Sequence, residues 1–338
     1  MLGTRLREAV ITIADLGEFG LIAAIARRLA GSAAIVVGPG DDAAVVRSPD
    51  GRVVATTDML IEGRHFRRDW SGPDDIGRKV AARNLADIAA MGARPTALLV
   101  AFAGPGDLEV DWVLALVDGI AAECRAAGAV VAGGDTSSAG LVMLAVTALG
   151  DLAGREPVTR GGARPGDVVA VAGRLGSAAA GLALLTAGHG IGEPGELDML
   201  TRAHRRPQPP YSAGPQAADL GATALIDVSD GLVADLGHIA QASGVRIELA
   251  SDLVGAPPVA EVPLLERAAA VLGAAPGRAG WLSWVLAGGD DHALAATFPA
   301  RTPLPQPWKV IGKVTTGSGV FLDGGKWINA GGWEHFRS

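Results

Sequence analysis

Five short segments of this chain place aspartate among glycine and aliphatic residues, where a protein interior ordinarily carries no charge. They are residues 38–43, 56–59, 84–92, 133–136 and 227–232. Two carboxylates about 4 Å apart repel by roughly 4 kcal/mol at an effective dielectric near 20. A buried set of them needs cations, and hard divalent ions accept such oxygen ligands. The pattern predicts a site for several metal ions, and the glycine turns beside the acids point to phosphate chemistry.

The number of acids indicates more than one ion. A magnesium ion ordinarily takes one or two protein carboxylates and completes its shell with water and phosphate oxygens. The candidate acids are Asp41, Asp42, Asp58, Asp87, Asp135, Asp227 and Asp230. Thr56 and Thr57 precede Asp58 at the predicted end of a strand, where their hydroxyls could bind the same ion.

Four of the five segments also have a purely structural interpretation. Residues 38–43 could be a Gly/Asp turn between strands, and the threonines before Asp58 could cap a strand end. Asp87 falls on an apolar helical stripe, where a buried ion pair or a hydrogen bond would also account for it. Ser229 or Asp230 could be a helix N-cap. The recurrence of acidic segments favours metal binding.

The segment Gly-Gly-Asp-Thr at 133–136 follows a predicted strand. Two glycines allow backbone N–H groups to approach a phosphate, and the adjacent acid could hold its metal. Other nucleotide signatures are missing: the Gly-Lys pairs at 312–313 and 325–326 lack the following Ser or Thr of a P-loop.

Alternating helical and strand patterns must position these acids. The first part predicts helices at 17–31, 73–92 and 107–128, and strands at 43–46, 53–57, 96–102, 129–132 and 141–149, the first two joined by the turn 48–51. A Gly/Pro-rich stretch at 150–166 marks a boundary near 155. We expect an N-terminal domain (1–155) and a C-terminal domain (156–338) that begins with a strand at 167–172.

The charge and composition of the chain limit which partners and which cellular location we expect. The net charge of −7 argues against a nucleic-acid partner, and the single cysteine excludes an internal disulfide. The sequence shows no signal-peptide pattern and no apolar run suited to a membrane, so we expect a cytoplasmic protein. The strands at 53–57, 96–102 and 141–149 are too apolar to remain uncovered, which favours a homodimer.

Taken in order, the motifs resemble the thiamine-monophosphate kinase family, of the aminoimidazole ribonucleotide synthetase-like superfamily. The likeness spans residues 17–336. Besides the five acidic segments it includes Gly-Glu-Phe-Gly-Leu-Ile at 17–22, His-Phe at 65–66, Thr-Arg at 159–160, Gly-Gly-Asp-Asp-His at 288–292 and Gly-Trp-Glu-His-Phe at 332–336.

The resemblance implies ATP-dependent phosphorylation of thiamine phosphate to thiamine diphosphate, with several Mg²⁺ ions. It implies metal ligands at Asp42, Thr56, Thr57, Asp58, Asp87, Asp135, Asp227 and Asp230, and ATP contacts at Gly134, Asp135, Arg160 and Ser229. Asp135 and Arg160 would position the reacting groups and neutralise their charge, and no general base would take part. His65 and Asp290 would lie on the thiamine phosphate side. The implied fold is α/β (α+β), with an N-terminal domain whose sheet joins that of a second copy and a C-terminal domain with a mixed sheet.

Two departures from the family concern the substrate side. Asp290 stands where the family usually has glutamate. Ala330 occupies the position of an aromatic residue that often stacks on the substrate, so Trp333 or Trp327 would take that role. Two rival functions remain: another ATP-using enzyme of the superfamily, of the aminoimidazole ribonucleotide synthetase type, and a non-catalytic nucleotide- or metal-binding regulator.

Overall fold

The computed structural model describes residues 11–38, 43–190, 195–257, 259–274 and 277–326. They form two large β-sheets with helices packed against them, one from strands before residue 152 and one from strands after residue 166. This confirms the predicted α/β (α+β) class. The gap between the sheets contains the expected boundary near 155, which as a domain boundary stays a prediction.

The N-terminal elements are α1 (Ile13–Leu16), α2 (Glu18–Ala26), β1 (Ile35–Val37), β2 (Val45–Val46), β3 (Val54–Ile61), α3 (Pro73–Ala90), β4 (Arg94–Gly104), α4 (Val110–Ala127), β5 (Val130–Ser138) and β6 (Met143–Asp151). Strands β3, β6, β4 and β5 form a sheet in that order, in which only β4 and β5 run parallel. Strands β1 and β2 form a separate antiparallel pair. The turn at 48–51 forms, but the strands on its two sides enter different sheets.

Helices α3 and α4 cover one face of the four-stranded sheet. They pack closely because glycine lies at their crossing: a Cβ on Gly77 would lie 2.1 Å from the Leu116 carbonyl oxygen, and one on Gly119 would lie 2.3 Å from that of Asp74. No side chain fits there without moving the backbone. The crossing fixes α3 along the sheet, and with it the polar side chains that α3 carries.

The C-terminal elements are β7 (Asp167–Ala172), α5 (Ser177–Thr186), α6 (Asp198–Arg205), α7 (Ala213–Asp219), β8 (Ala224–Val228), α8 (Leu232–Ser243), β9 (Arg246–Leu249), α9 (Ser251–Val254), α10 (Val262–Val271), α11 (Arg278–Ala287), β10 (Ala293–Pro299), β11 (Lys309–Thr315), β12 (Gly319–Leu322) and β13 (Gly325–Lys326). The seven strands form a mixed sheet in the order β13-β12-β9-β11-β7-β10-β8. Only β12 and β9 are parallel.

Apolar packing joins the two halves. The end of α3 contributes Ala89 and Ala90 to a core that also contains Leu294 and Phe298 of β10. Helix α7 crosses α3 at Gly214, where a Cβ would lie 2.0 Å from the Ala89 carbonyl oxygen. Helix α3 therefore packs against both sheets. No helix in the described ranges is long and apolar enough to cross a bilayer.

Two local predictions were wrong. Residues 56–58 lie within β3, and residues 133–136 lie within β5, whereas the sequence placed both at or after a strand end. In each case pairing with a neighbour extends the strand: Asp58 pairs with Val146, and Asp135 pairs with Ala101. Single-strand patterns do not reveal such pairing, which comes from distant segments.

Candidate active site

A cavity of about 480 Å³ opens between the two halves of the chain. Strand β3, helix α3 and the segment after β3 form its N-terminal wall. Helix α5, the end of β8 and the loop before β10 form its C-terminal wall. Six predicted site residues line it: Asp58, His65, Asp87, Ser229, Asp230 and Asp290.

Alternation along β3 sends consecutive side chains to opposite faces of the sheet. The Thr56 hydroxyl faces α3 and donates a hydrogen bond to the Asp87 carboxylate at 2.9 Å. The Thr57 hydroxyl lies on the other face, donates to the Val146 carbonyl at 3.0 Å and accepts from Thr147. The structure therefore brings Thr56 to the acids and turns the Thr57 side chain away from them.

Asp87 meets other carboxylates at the base of the cavity. Burial, together with the negative charges of Asp227 and Asp58, raises the pKa of Asp87 to about 7, against the Thr56 hydrogen bond, which lowers it. Asp227, at the end of β8, is buried and contacts His292 Nδ1 at 3.1 Å. Three predicted ligands from three separate segments thus lie close enough to repel one another.

The start of α8 does not have the N-cap of the structural alternative. Gly231 is the N-cap residue, and the Asp235 carboxylate accepts from the backbone N–H groups of Asp230 and Gly231, both at 3.1 Å. Ser229 and Asp230 are therefore not N-caps, and both line the cavity. Burial, followed by the charges of Asp227 and Asp230, raises the pKa of Asp235 to about 7.

The loop at 288–292 forms the wall opposite α3, in an uncommon backbone conformation. Asp290 and His292 have φ angles of +66° and +51°. Such angles cost of order 1–3 kcal/mol at most non-glycine residues, although Asp and His adopt them more readily than most. The Asp291 carboxylate fixes the loop by accepting from Gly176 N and Ala178 N at 2.6 and 2.8 Å.

Two cations of α3 bind Asp290, and the sequence analysis missed both. Lys79 Nζ lies 3.0 Å from one carboxylate oxygen of Asp290, and Arg83 Nη1 lies 3.1 Å from the other. Arg83 also contacts Asp58 through Nε and Nη2, both at 3.3 Å. Burial opposes ionisation of Asp290, but the charges of Lys79 and Arg83 outweigh it and hold the pKa of Asp290 well below its usual range.

The other end of the cavity is basic and aromatic. His65 Nδ1 accepts from Ile61 N at 3.0 Å, which leaves the ring proton on Nε2 in the neutral form. Arg64, Arg67 and Trp70 also line this end, and the Arg67 guanidinium lies 4.3 Å from the centre of the Trp70 ring. The cavity therefore has an acidic end and a basic end.

The remaining predicted residues lie elsewhere. Gly134 and Asp135 are exposed on β5, three strand spacings from β3, or ~14 Å at the usual strand separation. Arg160 is exposed, and its backbone carbonyl accepts a hydrogen bond from the Ser243 hydroxyl. These residues do not line the described cavity. Five further predicted residues lie outside the described part of the chain: Asp41, Asp42, Trp327, Ala330 and Trp333.

The donor set at the acidic end fits magnesium in its chemistry. Asp58, Asp87 and Asp227 offer only oxygen atoms, and their mutual repulsion would be relieved by a divalent ion. Within the described residues, no three His, Cys, Asp or Glu side chains are grouped so that they could hold an ion alone. Ions held by one or two carboxylates, with water and phosphate oxygens completing the shell, remain compatible with this arrangement.

Comparisons with known proteins agree with the fold and the motifs. Residues 40–152 match the family described as AIR synthase related protein, N-terminal domain. A thiamine-monophosphate kinase from Mycobacterium tuberculosis is 48% identical over 326 residues, covering 96% of this chain and 93% of that protein.

Solved structures extend the likeness. That of thiamine-monophosphate kinase from Stenotrophomonas maltophilia is 33% identical with a TM-score of 0.78, covering 91% of this chain and 96% of that one. The structure of AaThiL complexed with AMPPCP and TMP is 32% identical with a TM-score of 0.74, covering 97% of this chain and 100% of that one. With 48% identity across almost its whole length, the chain belongs to the thiamine-monophosphate kinase family.

Proposed function

We propose that this protein transfers the γ-phosphoryl group of ATP to thiamine phosphate, giving thiamine diphosphate. The observation that carries the proposal is the two-ended cavity. Its acidic end suits a metal–polyphosphate, and its basic, aromatic end suits an organic phosphate. A family relative has been solved with AMPPCP and TMP bound together, which supports two ligands of this kind in one site.

The acceptor requires no general base, because a phosphate monoester is already anionic at neutral pH. Catalysis then rests on positioning and on neutralising charge. We propose direct in-line transfer, with the two phosphates brought together between β3 and the 288–292 loop. Asp58, Asp87, Asp227 and Asp230 would hold several Mg²⁺ ions, which when bound would neutralise phosphate charge. Asp42 and Asp135 remain predicted ligands.

The assignment of residues to ATP binding also remains a prediction. Ser229 lines the cavity, whereas Gly134, Asp135 and Arg160 lie away from it. Their ATP contacts are therefore part of the proposal. An Arg160→Ala variant with an unchanged KM for ATP and an unchanged kcat would remove Arg160 from the nucleotide site.

We further propose that a second copy covers the face of the four-stranded sheet opposite α3. Met59, Ala145 and Ala101 lie in one register row on that face, and Met59 is 46% exposed. Light scattering should give a dimer for the native chain and a monomer for Ala101→Glu. The control is Val271→Glu, at a residue that is 50% exposed on α10 in the other half of the chain. A dimeric Ala101→Glu protein would place the interface elsewhere.

A substrate panel tests the function directly. With ATP and Mg²⁺, thiamine phosphate should give stoichiometric ADP and thiamine diphosphate. Turnover with an aminoimidazole precursor instead would favour the superfamily rival. Binding of ATP without turnover on any acceptor would favour the regulator. Location in the cytoplasm stays a prediction.

A further inference from the structure

Helix α3 carries a line of charged residues at four-residue spacing: Lys79, Arg83 and Asp87. This spacing puts all three on one face of the helix, and that face points to the seam between the halves. The Lys79 side chain is 2% exposed and that of Arg83 is 13% exposed. Two cations this deep in a protein need fixed partners, and they find them in acids from both halves.

The partners of Arg83 come from opposite walls of the cavity. Its Nε and Nη2 face Asp58 on β3, and its Nη1 faces Asp290 on the loop before β10. The planar guanidinium suits this role because its donors point in several fixed directions. Lys79 approaches Asp290 from the buried side, with His204 Nε2 3.5 Å from its ammonium.

We propose that Arg83 is the resident cation of this site. Its guanidinium, fixed between Asp58 and Asp290 and supported by Lys79, occupies a place among the carboxylates that a divalent ion would otherwise take. It also joins the two walls before any ligand binds. Arg83 is thus a positioning residue, and it limits how many metal ions the acids accept. The inference rests on the proposed function only in treating these acids as cation ligands.

Arg83 differs from Arg78, another arginine of the same helix, in where its ion pairs lie. Arg78 is also an arginine of α3 in an ion-pair network, with Asp74 at 3.2 Å and Glu123 at 3.6 Å. It does not line the cavity, and neither of its partners does. Arg78→Gln is therefore a matched control for the loss of an arginine and its ion pairs from α3.

The test measures binding of Mn²⁺, which takes the same oxygen ligands as Mg²⁺, by electron paramagnetic resonance without nucleotide or acceptor. Arg83→Gln should bind Mn²⁺ about 10-fold more tightly than the native chain, or bind one further ion, because a metal replaces the lost charge. Arg78→Gln should match the native chain. Arg83→Lys, which keeps the charge without the planar fork, should bind Mn²⁺ nearly as the native chain does but with lower kcat.

Unchanged or weaker Mn²⁺ binding by a folded Arg83→Gln protein would overturn the proposal. If that variant does not fold without metal, saturating Mg²⁺ must restore its circular dichroism spectrum, and a protein that remains unfolded would equally refute the idea. Because the readout needs no turnover, a native chain that fails to phosphorylate thiamine phosphate would refute the proposed function while leaving this inference standing.

Discussion

Asp87 and Asp290 line the same cavity, but their surroundings have opposite electrostatic effects. Asp87 faces Asp227 and Asp58, and burial with these charges raises its pKa to about 7. Asp290 lies between Lys79 and Arg83, whose charges overcome burial and lower its pKa. The difference separates two kinds of buried acid. The first needs a cation from outside, whereas the second is neutralised by the chain itself.

The test with the largest expected effect on this comparison removes the phosphate group, and with it the negative charge, from the acceptor. Thiamine without its phosphate has no anion that cations held near Asp87 could bind. Its neutral hydroxyl would also need a general base. A site whose charged groups remain unmatched discriminates by about 10⁴-fold or more. We expect kcat/KM for thiamine to fall below that for thiamine phosphate by this factor, measured by product chromatography. Comparable values would mean that the acceptor has been assigned wrongly.

Removing the carboxylate from each acid should change stability in opposite directions. Asp290→Asn leaves Lys79 and part of Arg83 buried without a counter-charge, which costs about 3–5 kcal/mol. Asp87→Asn removes a repelled acid, so the metal-free protein should unfold at an equal or higher urea concentration at pH 8. Destabilisation of both variants by similar amounts would contradict the distinction between the two kinds of buried acid.

The pH dependence follows from the raised pKa of Asp87. Because this value, about 7, exceeds the ordinary value of 3.8, the native state binds more protons than the unfolded state between these pH values. Stability of the metal-free chain should therefore fall as pH rises from about 4 to 7, and Mg²⁺ should stabilise most at pH 7 and above. Urea denaturation with EDTA or Mg²⁺ checks this. Asp87→Asn should show a shallower fall, although Asp235 and Asp291, both raised to about 7, still contribute.

The smallest expected effect concerns the basic end. His65→Ala should raise the KM for thiamine phosphate about 10-fold and leave the KM for ATP nearly unchanged, because we assign His65 to the thiamine phosphate side of the cavity. His238→Ala, at an exposed histidine on α8, is the control and should change neither. An equal rise in both KM values would contradict the division of the cavity into two ends.

Several of these features could be predicted from the sequence. Pro73 and the acids after it mark the start of α3, and the apolar surroundings of Asp87 and Asp227 identified them as unusual acids. Their meeting near Asp58 follows from these signals and the family order of motifs. The extension of β5 through Gly133 and Gly134 could not be foreseen, because parallel pairing with β4 sustains it.

The cations of α3 were hidden from sequence reasoning for a physical reason. Lys79 and Arg83 look like the solvated face of a helix, and their partner Asp290 lies 211 and 207 residues away. Only packing of the two halves brings these charges together. The positive φ angles of Asp290 and His292 were equally hidden, because they occur in a loop whose Asp291 carboxylate binds the distant backbone N–H groups of Gly176 and Ala178.

The most direct test of the account is the rate of thiamine diphosphate formation by Asp87→Asn at saturating ATP, thiamine phosphate and Mg²⁺. Loss of a strong electrostatic contact at a transition state typically lowers kcat by roughly 10²–10³. We expect a fall of that size in a protein with native circular dichroism, and no turnover by the native chain in EDTA. Near-native turnover by well-folded Asp87→Asn would contradict the assignment of the acidic end as the site of phosphoryl transfer.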